Sequence, residues 1–141
     1  RFSYPMAPNP LLPPVERVKM DERRRLTVPK LMRDGLQWRD RIAAGSPAVF
    51  ELVTPGRARL LSDVLLERLR DADEATIAGM SARLVVSTFE NADARLALPI
   101  QVFEWVEGIH AKPTTVLVWA SQHTVEFWSD DEWPRAVVRA A

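Results

Sequence analysis

Arg25-Leu26-Thr27-Val28-Pro29 returns seventy positions later as Arg95-Leu96-Ala97-Leu98-Pro99. Self-similarity of this kind is a guide to architecture, because each copy is one folding unit that needs a neighbour to bury its apolar face. The flanks repeat as well. An apolar, strand-like run precedes each element, Val15 to Met20 in one copy and Ala82 to Phe89 in the other. Polar turn residues then lead into the arginine: Asp21-Glu22-Arg23-Arg24 first, and Glu90-Asn91-Ala92-Asp93-Ala94 second. After each proline comes a short helical pattern, Lys30 to Trp38 and Ile100 to Glu107. Pro29 and Pro99 suit a first helical position, where the missing N–H would be unpaired anyway.

Each copy closes with two more strand-like runs about a turn. In the first these are Val49 to Val53, Pro55-Gly56 and Ala58 to Leu61. In the second they are Thr115 to Trp119, Ser121-Gln122-His123 and Thr124 to Trp128. Ser62-Asp63 and Ser129-Asp130 follow, each serine placed to cap a helix. Val64, Leu65, Leu69 and Ile77 mark the apolar stripe of a linker helix expected from Asp63 to about Met80. A unit of roughly 50 residues buries too little surface to stand alone, and two packed copies remove that deficit. The chain thus divides into an extended arm over 1–14, rich in proline at Pro5, Pro8, Pro10 and Pro13, a first repeat with its linker helix over 15–80, and a second repeat over 81–141.

Over all 141 residues, 19 basic side chains balance 19 acidic ones, but not evenly. Glu16 to Arg41 holds nine bases against five acids, whereas Ser81 to the end holds five against eight. One half is built to attract an anion and the other to repel it. The absence of cysteine excludes disulfides, thiolate metal sites and a cysteine nucleophile. With only His110 and His123, a structural zinc site lacks ligands. Ser121 or Ser129, His123 and Asp130 form a hydrolase triad only on paper, for no nucleophile-elbow glycines surround the serines. No glycine loop for phosphate is present either, so the reading is of a non-enzyme without a cofactor. No apolar run approaches the roughly 18 residues that cross a bilayer, which gives no membrane contact and a cytoplasmic expectation.

A turn with Asp-x-x-x-Arg, then aliphatic-x-aliphatic-Pro and a short helix, resembles the signature of the SpoVT-AbrB-type transcription factors. Two such units in one chain resemble the MraZ family, bacterial regulators of the division and cell-wall gene cluster. The first motif here is Asp21-Glu22-Arg23-Arg24-Arg25 and the second Asn91-Ala92-Asp93-Ala94-Arg95. The stretch Val125 to Trp133 is similar to the close of that family's second unit. The resemblance implies an α+β, mainly β fold, a double split β-barrel of two pseudo-symmetric repeats. It also implies a sequence-specific regulator that binds double-stranded DNA at promoter repeats, as a homo-oligomer or ring, in the nucleoid. Departures accompany it. The family places glycine before the arginine, where Arg24 and Ala94 stand here, leaving the turn shape open; Asn91 replaces the second aspartate.

On this resemblance Arg25 and Arg95 are the candidates for DNA contact. An arginine grips guanine through two hydrogen bonds, and a β-ribbon is narrow enough for the major groove. Arg23, Arg24, Lys19 and Lys30 supply supporting charge. Asp21 is structural and orients Arg25, with Asn91, Pro29 and Pro99 structural at the motif. Acidic neighbours weaken the case for Arg95, whose alternative is a structural pair with Asp93. Trp119 and Trp128 suit core packing, whereas Trp105 and Trp133 are candidates for a protein interface. The competing reading is therefore an assembly or adaptor subunit, or an antitoxin-like protein. It would contact other chains through the N-terminal arm or the second repeat.

Overall fold

The computed structural model describes residues 15–35, 41–73, 75, 78–79, 82–120, 124–130 and 132–133. The Pro-rich arm and the Ser121–His123 turn lie outside them. The described chain is mainly β. Its order is β1 (Glu16–Lys19), β2 (Arg25–Thr27), α1 (Lys30–Gly35), β3 (Pro47–Thr54), β4 (Arg57–Leu61) and α2 (Asp63–Arg70) in the first repeat. The second runs β5 (Leu84–Thr88), β6 (Arg95–Ala97), α3 (Ile100–Glu107), β7 (Thr115–Ala120) and β8 (Thr124–Trp128). Six strands form one antiparallel sheet in the order β1-β7-β8-β4-β3-β5, and β2 pairs with β6 in a second.

Exchanging every strand for its counterpart in the other repeat turns that six-strand order into its own reverse. The repeats therefore share one sheet about a pseudo-twofold axis, each lending its first strand to the other's hairpin: β1 lies on β7 and β5 on β3. Leu26 pairs with Leu96, and Arg59 pairs with Glu126, the middle residues of β4 and β8. The axis passes between the members of both pairs.

Alternation along the strands decides what lies on each face. Ala48, Phe50, Ala58, Leu60, Val116, Val118, Val125 and Phe127 point to the core, with the Phe50 and Phe127 rings 5.8 Å apart. Leu26, Val28, Leu96 and Leu98 close it from the small sheet, and Val102, Phe103 and Val106 of α3 from the side. The opposite face of the large sheet mixes apolar residues with charge. Glu51 is buried and pairs with Arg59 and Arg83, and buried Glu126 receives Arg57 at 2.7 Å. A carboxylate in a buried position needs such partners, because an unpaired buried charge is costly.

Both capping serines act as expected: Ser62 Oγ accepts from the Leu65 N–H at 3.2 Å and Ser129 Oγ from the Glu132 N–H at 3.0 Å. Helices α1 and α3 begin at Lys30 and Ile100, where the sequence places them, and the carbonyls of Pro29 and Pro99 accept the first helical bonds from Arg33 and Phe103, each at 2.9 Å. Proline's fixed φ serves the residue before the helix as well as the first within it. The helix expected to run unbroken to about Met80 is interrupted after Arg70, where the Asp71 N–H turns back to the carbonyls of Arg68 and Leu69; Ala75, Ala78 and Gly79 are helical again, and Ile77 and Met80 lie outside the described residues. Asp71 and Asp73, whose side chains compete for backbone bonds, favour a turn there over a continuous helix. No helix among the described residues is long and apolar enough to cross a membrane.

Candidate nucleic-acid interface

The two motif turns have the same backbone. Asp21 Oδ1 accepts the N–H groups of Arg23 and Arg25 at 2.8 and 2.9 Å. Asn91 Oδ1 accepts those of Asp93 and Arg95 at 2.9 and 3.3 Å. Either side chain can make this turn, because it needs only a short acceptor two and four residues upstream of the donors. Arg24 and Ala94 both sit at φ 61°. The left-handed turn is thus formed without the glycine that the family pattern places there. A non-glycine residue in that region carries a cost of about 1–2 kcal/mol.

Contacts across the axis hold the turns in place. The Val28 N–H donates to the Ala94 carbonyl at 3.1 Å, and the Leu98 N–H to the Arg24 carbonyl at 2.9 Å. Beneath them Leu26 and Leu96 are buried. Above them, on the outer face of the β2–β6 ribbon, lie the two motif arginines. Arg25 Nε meets Asp21 Oδ2 at 2.6 Å, and an Arg95 Nη reaches the same oxygen at 3.5 Å. One carboxylate therefore serves both guanidinium groups. The backbone N–H of Arg25, its guanidinium and the Arg23 N–H together hold Asp21 at about 2, below the ordinary 3.8.

The remaining candidates scatter. Lys19 and Arg23 are exposed and line a shallow depression with Asp21, Glu22 and Arg25. Lys30 is exposed at the start of α1. Arg24 turns away, its Nε donating to the Leu98 carbonyl at 3.0 Å. Arg95 does not pair with Asp93 as the alternative reading had it; its second partner is Glu90 at 3.4 Å. Asp93 instead receives Arg33 from the other repeat, on its carbonyl at 2.6 Å and its carboxylate at 3.8 Å. These cross-repeat partners were invisible in the sequence, because only the β2–β6 register brings the two turns together.

The tryptophans form two groups. Trp105 is half-buried against the core and donates its indole N–H to the Arg57 carbonyl at 3.1 Å. Trp133 packs against Trp128 at 5.3 Å and Trp119 at 6.2 Å, while the Arg57 guanidinium lies 4.8 Å over the Trp128 ring. Trp128 is buried, but on the face opposite Phe127 and the main core. Arg17, which the sequence reading had counted only toward net charge, pairs with Asp130 at 2.6 Å. The chain matches no protein-family model and no curated protein.

Proposed function

We propose that the chain is a DNA-binding transcriptional regulator of the two-repeat AbrB type, acting as an oligomer through the β2–β6 face. In this reading the two sheets are the parts of a double split β-barrel. The observation that carries it is the shared carboxylate: Asp21 holds Arg25 and Arg95 side by side on a two-stranded ribbon. Two guanidinium groups held by one carboxylate on a narrow two-stranded element suit base edges and phosphates in a major groove. Exposed Arg23 and Lys19 add phosphate affinity without sequence information.

The test is fluorescence-anisotropy binding to DNA upstream of the gene, beside a scrambled duplex, at low and moderate salt. Arg25→Ala is expected to weaken binding about tenfold or more, the loss of one bidentate base contact. Arg95→Ala is expected to do less, because Glu90 and Asp21 already compete for its guanidinium. Weak binding indifferent to sequence and to Arg25 would overturn the proposal. The double engagement of Arg95 is also the observation that favours the adaptor reading, in which the second repeat binds protein; that outcome would move the search there.

A further inference from the structure

The large sheet ends in two edge strands, β1 and β5, that hold equivalent places in the two repeats. Their exposed chemistry is opposite. Arg17 faces the third residue of β7 and Val86 the third residue of β3, so they are counterparts; Lys19 and Thr88 are counterparts by the same count. The β1 edge thus carries two cations where the β5 edge carries an aliphatic residue and a hydroxyl. Edge strands in solitary proteins are guarded by charge, which blocks pairing with another chain. β1 is guarded in this way. β5 reads Leu84-Val85-Val86-Ser87-Thr88, with no charge and no proline, and Val86 is 70% exposed.

The backbone of β5 is turned outward in a defined register. The Arg83 carbonyl accepts from the Leu52 N–H at 2.9 Å, and the Phe89 N–H donates to the Ser46 carbonyl at 2.9 Å. In an antiparallel ladder such bonded positions alternate with positions whose N–H and C=O point the other way. The outward positions are therefore Leu84, Val86 and Thr88, and no described strand lies beyond them. Three outward residues centred on Val86 are self-complementary: an antiparallel copy places Val86 opposite Val86 and Leu84 opposite Thr88. All six outward groups are then paired. Arg83 before the strand and Glu90 after it give its two ends opposite charge. Antiparallel pairing sets each end beside its opposite, and parallel pairing would set like beside like.

We propose that β5 is a homodimer edge, joining two copies of this chain by β5–β5 pairing about Val86 into one continuous sheet. The proposal rests on the oligomeric part of the functional reading alone, and its test contains no DNA. Sedimentation equilibrium across a dilution series is expected to show an even number of chains for the wild type. Val86→Lys, which gives β5 a charge like that of β1, is expected to halve that number. It should raise the concentration for half-association about tenfold. Circular dichroism establishes that the variant folds, as an exposed side chain permits.

Val86→Cys provides a second readout in a chain that has no other cysteine. Facing Cα atoms of a bonded antiparallel pair lie roughly 5.5 Å apart, within reach of a disulfide. Mild oxidation is expected to give a covalent dimer at wild-type speed of association. Amide exchange at Leu84, Val86 and Thr88 should slow with rising protein concentration, while Val85 and Ser87 stay constant. A monomer at every concentration, or an assembly whose mass Val86→Lys leaves unchanged, would overturn the proposal. So would fast exchange at the three outward amides in the concentrated protein, the result expected if the edge awaits a different protein.

Discussion

The two repeats share a backbone and differ in nearly every exposed side chain. Inside, counterparts match in kind: Leu26 with Leu96, Val28 with Leu98, Met20 with Phe89. Outside, they diverge. Arg17 and Lys19 correspond to Val86 and Thr88, and Glu22 and Arg23 to Ala92 and Asp93. On the outer sheet face Arg59 and Glu126 are counterparts of opposite sign, neighbours in the β4–β8 ladder, whose ion pairs go to Glu51 and Arg57 respectively. The difference shows which positions the fold constrains. Apolar volume at the axis and an acceptor at the head of each turn are fixed by packing and by backbone hydrogen bonds. Exposed charge is not constrained in this way, and along the sequence the first repeat is rich in bases and the second in acids.

If the buried layer is symmetric, its mutations must be symmetric too. Leu26→Ala and Leu96→Ala each empty a site that is about 1% exposed or less, at the junction of both repeats. Each is expected to cost about 2–5 kcal/mol, the range for a buried leucine truncated to alanine. Chemical denaturation should give nearly equal losses for the two variants. Their double mutant should lose less than the sum, because facing residues share one cavity. A large inequality would mean that one repeat carries the core and the other merely rests on it.

The turns sharpen the comparison at a smaller scale. Arg24 and Ala94 bear the same strain, but each has a different compensation. Arg24 bonds the Leu98 carbonyl, whereas Ala94 buries its methyl group completely. Arg24→Ala should cost about 1 kcal/mol for the lost hydrogen bond. Arg24→Gly should be more stable than Arg24→Ala by about 1 kcal/mol, the relief of the backbone alone. At Ala94, glycine gains that relief but loses a buried methyl worth about 0.8 kcal/mol, so Ala94→Gly should be near neutral. Thermal unfolding of the three variants checks these differences. The cancellation explains how both left-handed positions can be held without glycine.

Much of this fold was legible because its signals are local or repeated. The doubled Arg-x-x-x-Pro element, the strand-like runs of β3, β4, β7 and β8 and the capping serines each predicted their element. The apolar stripe of the linker helix predicts one unbroken element, while the signal for its interruption at 71–73, Asp71 and Asp73, lies outside the stripe. The site was only half legible. Asp21 beside Arg25 follows from four residues of spacing, but Asp21 beside Arg95 depends on a strand pairing that spans seventy. The contrast between the edges was equally hidden. Arg17 and Val86 become comparable only when each is counted against the strand it pairs with.

The smallest expected effect isolates the one titrating difference between the turns. Asp21 has its carboxyl held at about 2 and Asn91 has none, although both make the same two backbone bonds. A carboxyl whose pKa is depressed on folding contributes stability that is fully present above its ordinary value near 3.8. That contribution is lost as pH falls toward 2. Asp21→Asn should therefore keep the turn, by the precedent of Asn91, and lose only the ion pairs with Arg25 and Arg95. The stability gap between wild type and variant, measured by denaturation from pH 6 downward, should narrow between about pH 4 and pH 2. A gap constant over that window would mean that neither the backbone N–H groups nor the guanidinium groups hold the carboxylate, and would leave the two arginines unclamped. In that event Asp21→Asn should change DNA affinity by no more than one added positive charge implies. A clamp that matters predicts instead that sequence preference falls while non-specific binding rises, and the two outcomes separate in one salt titration.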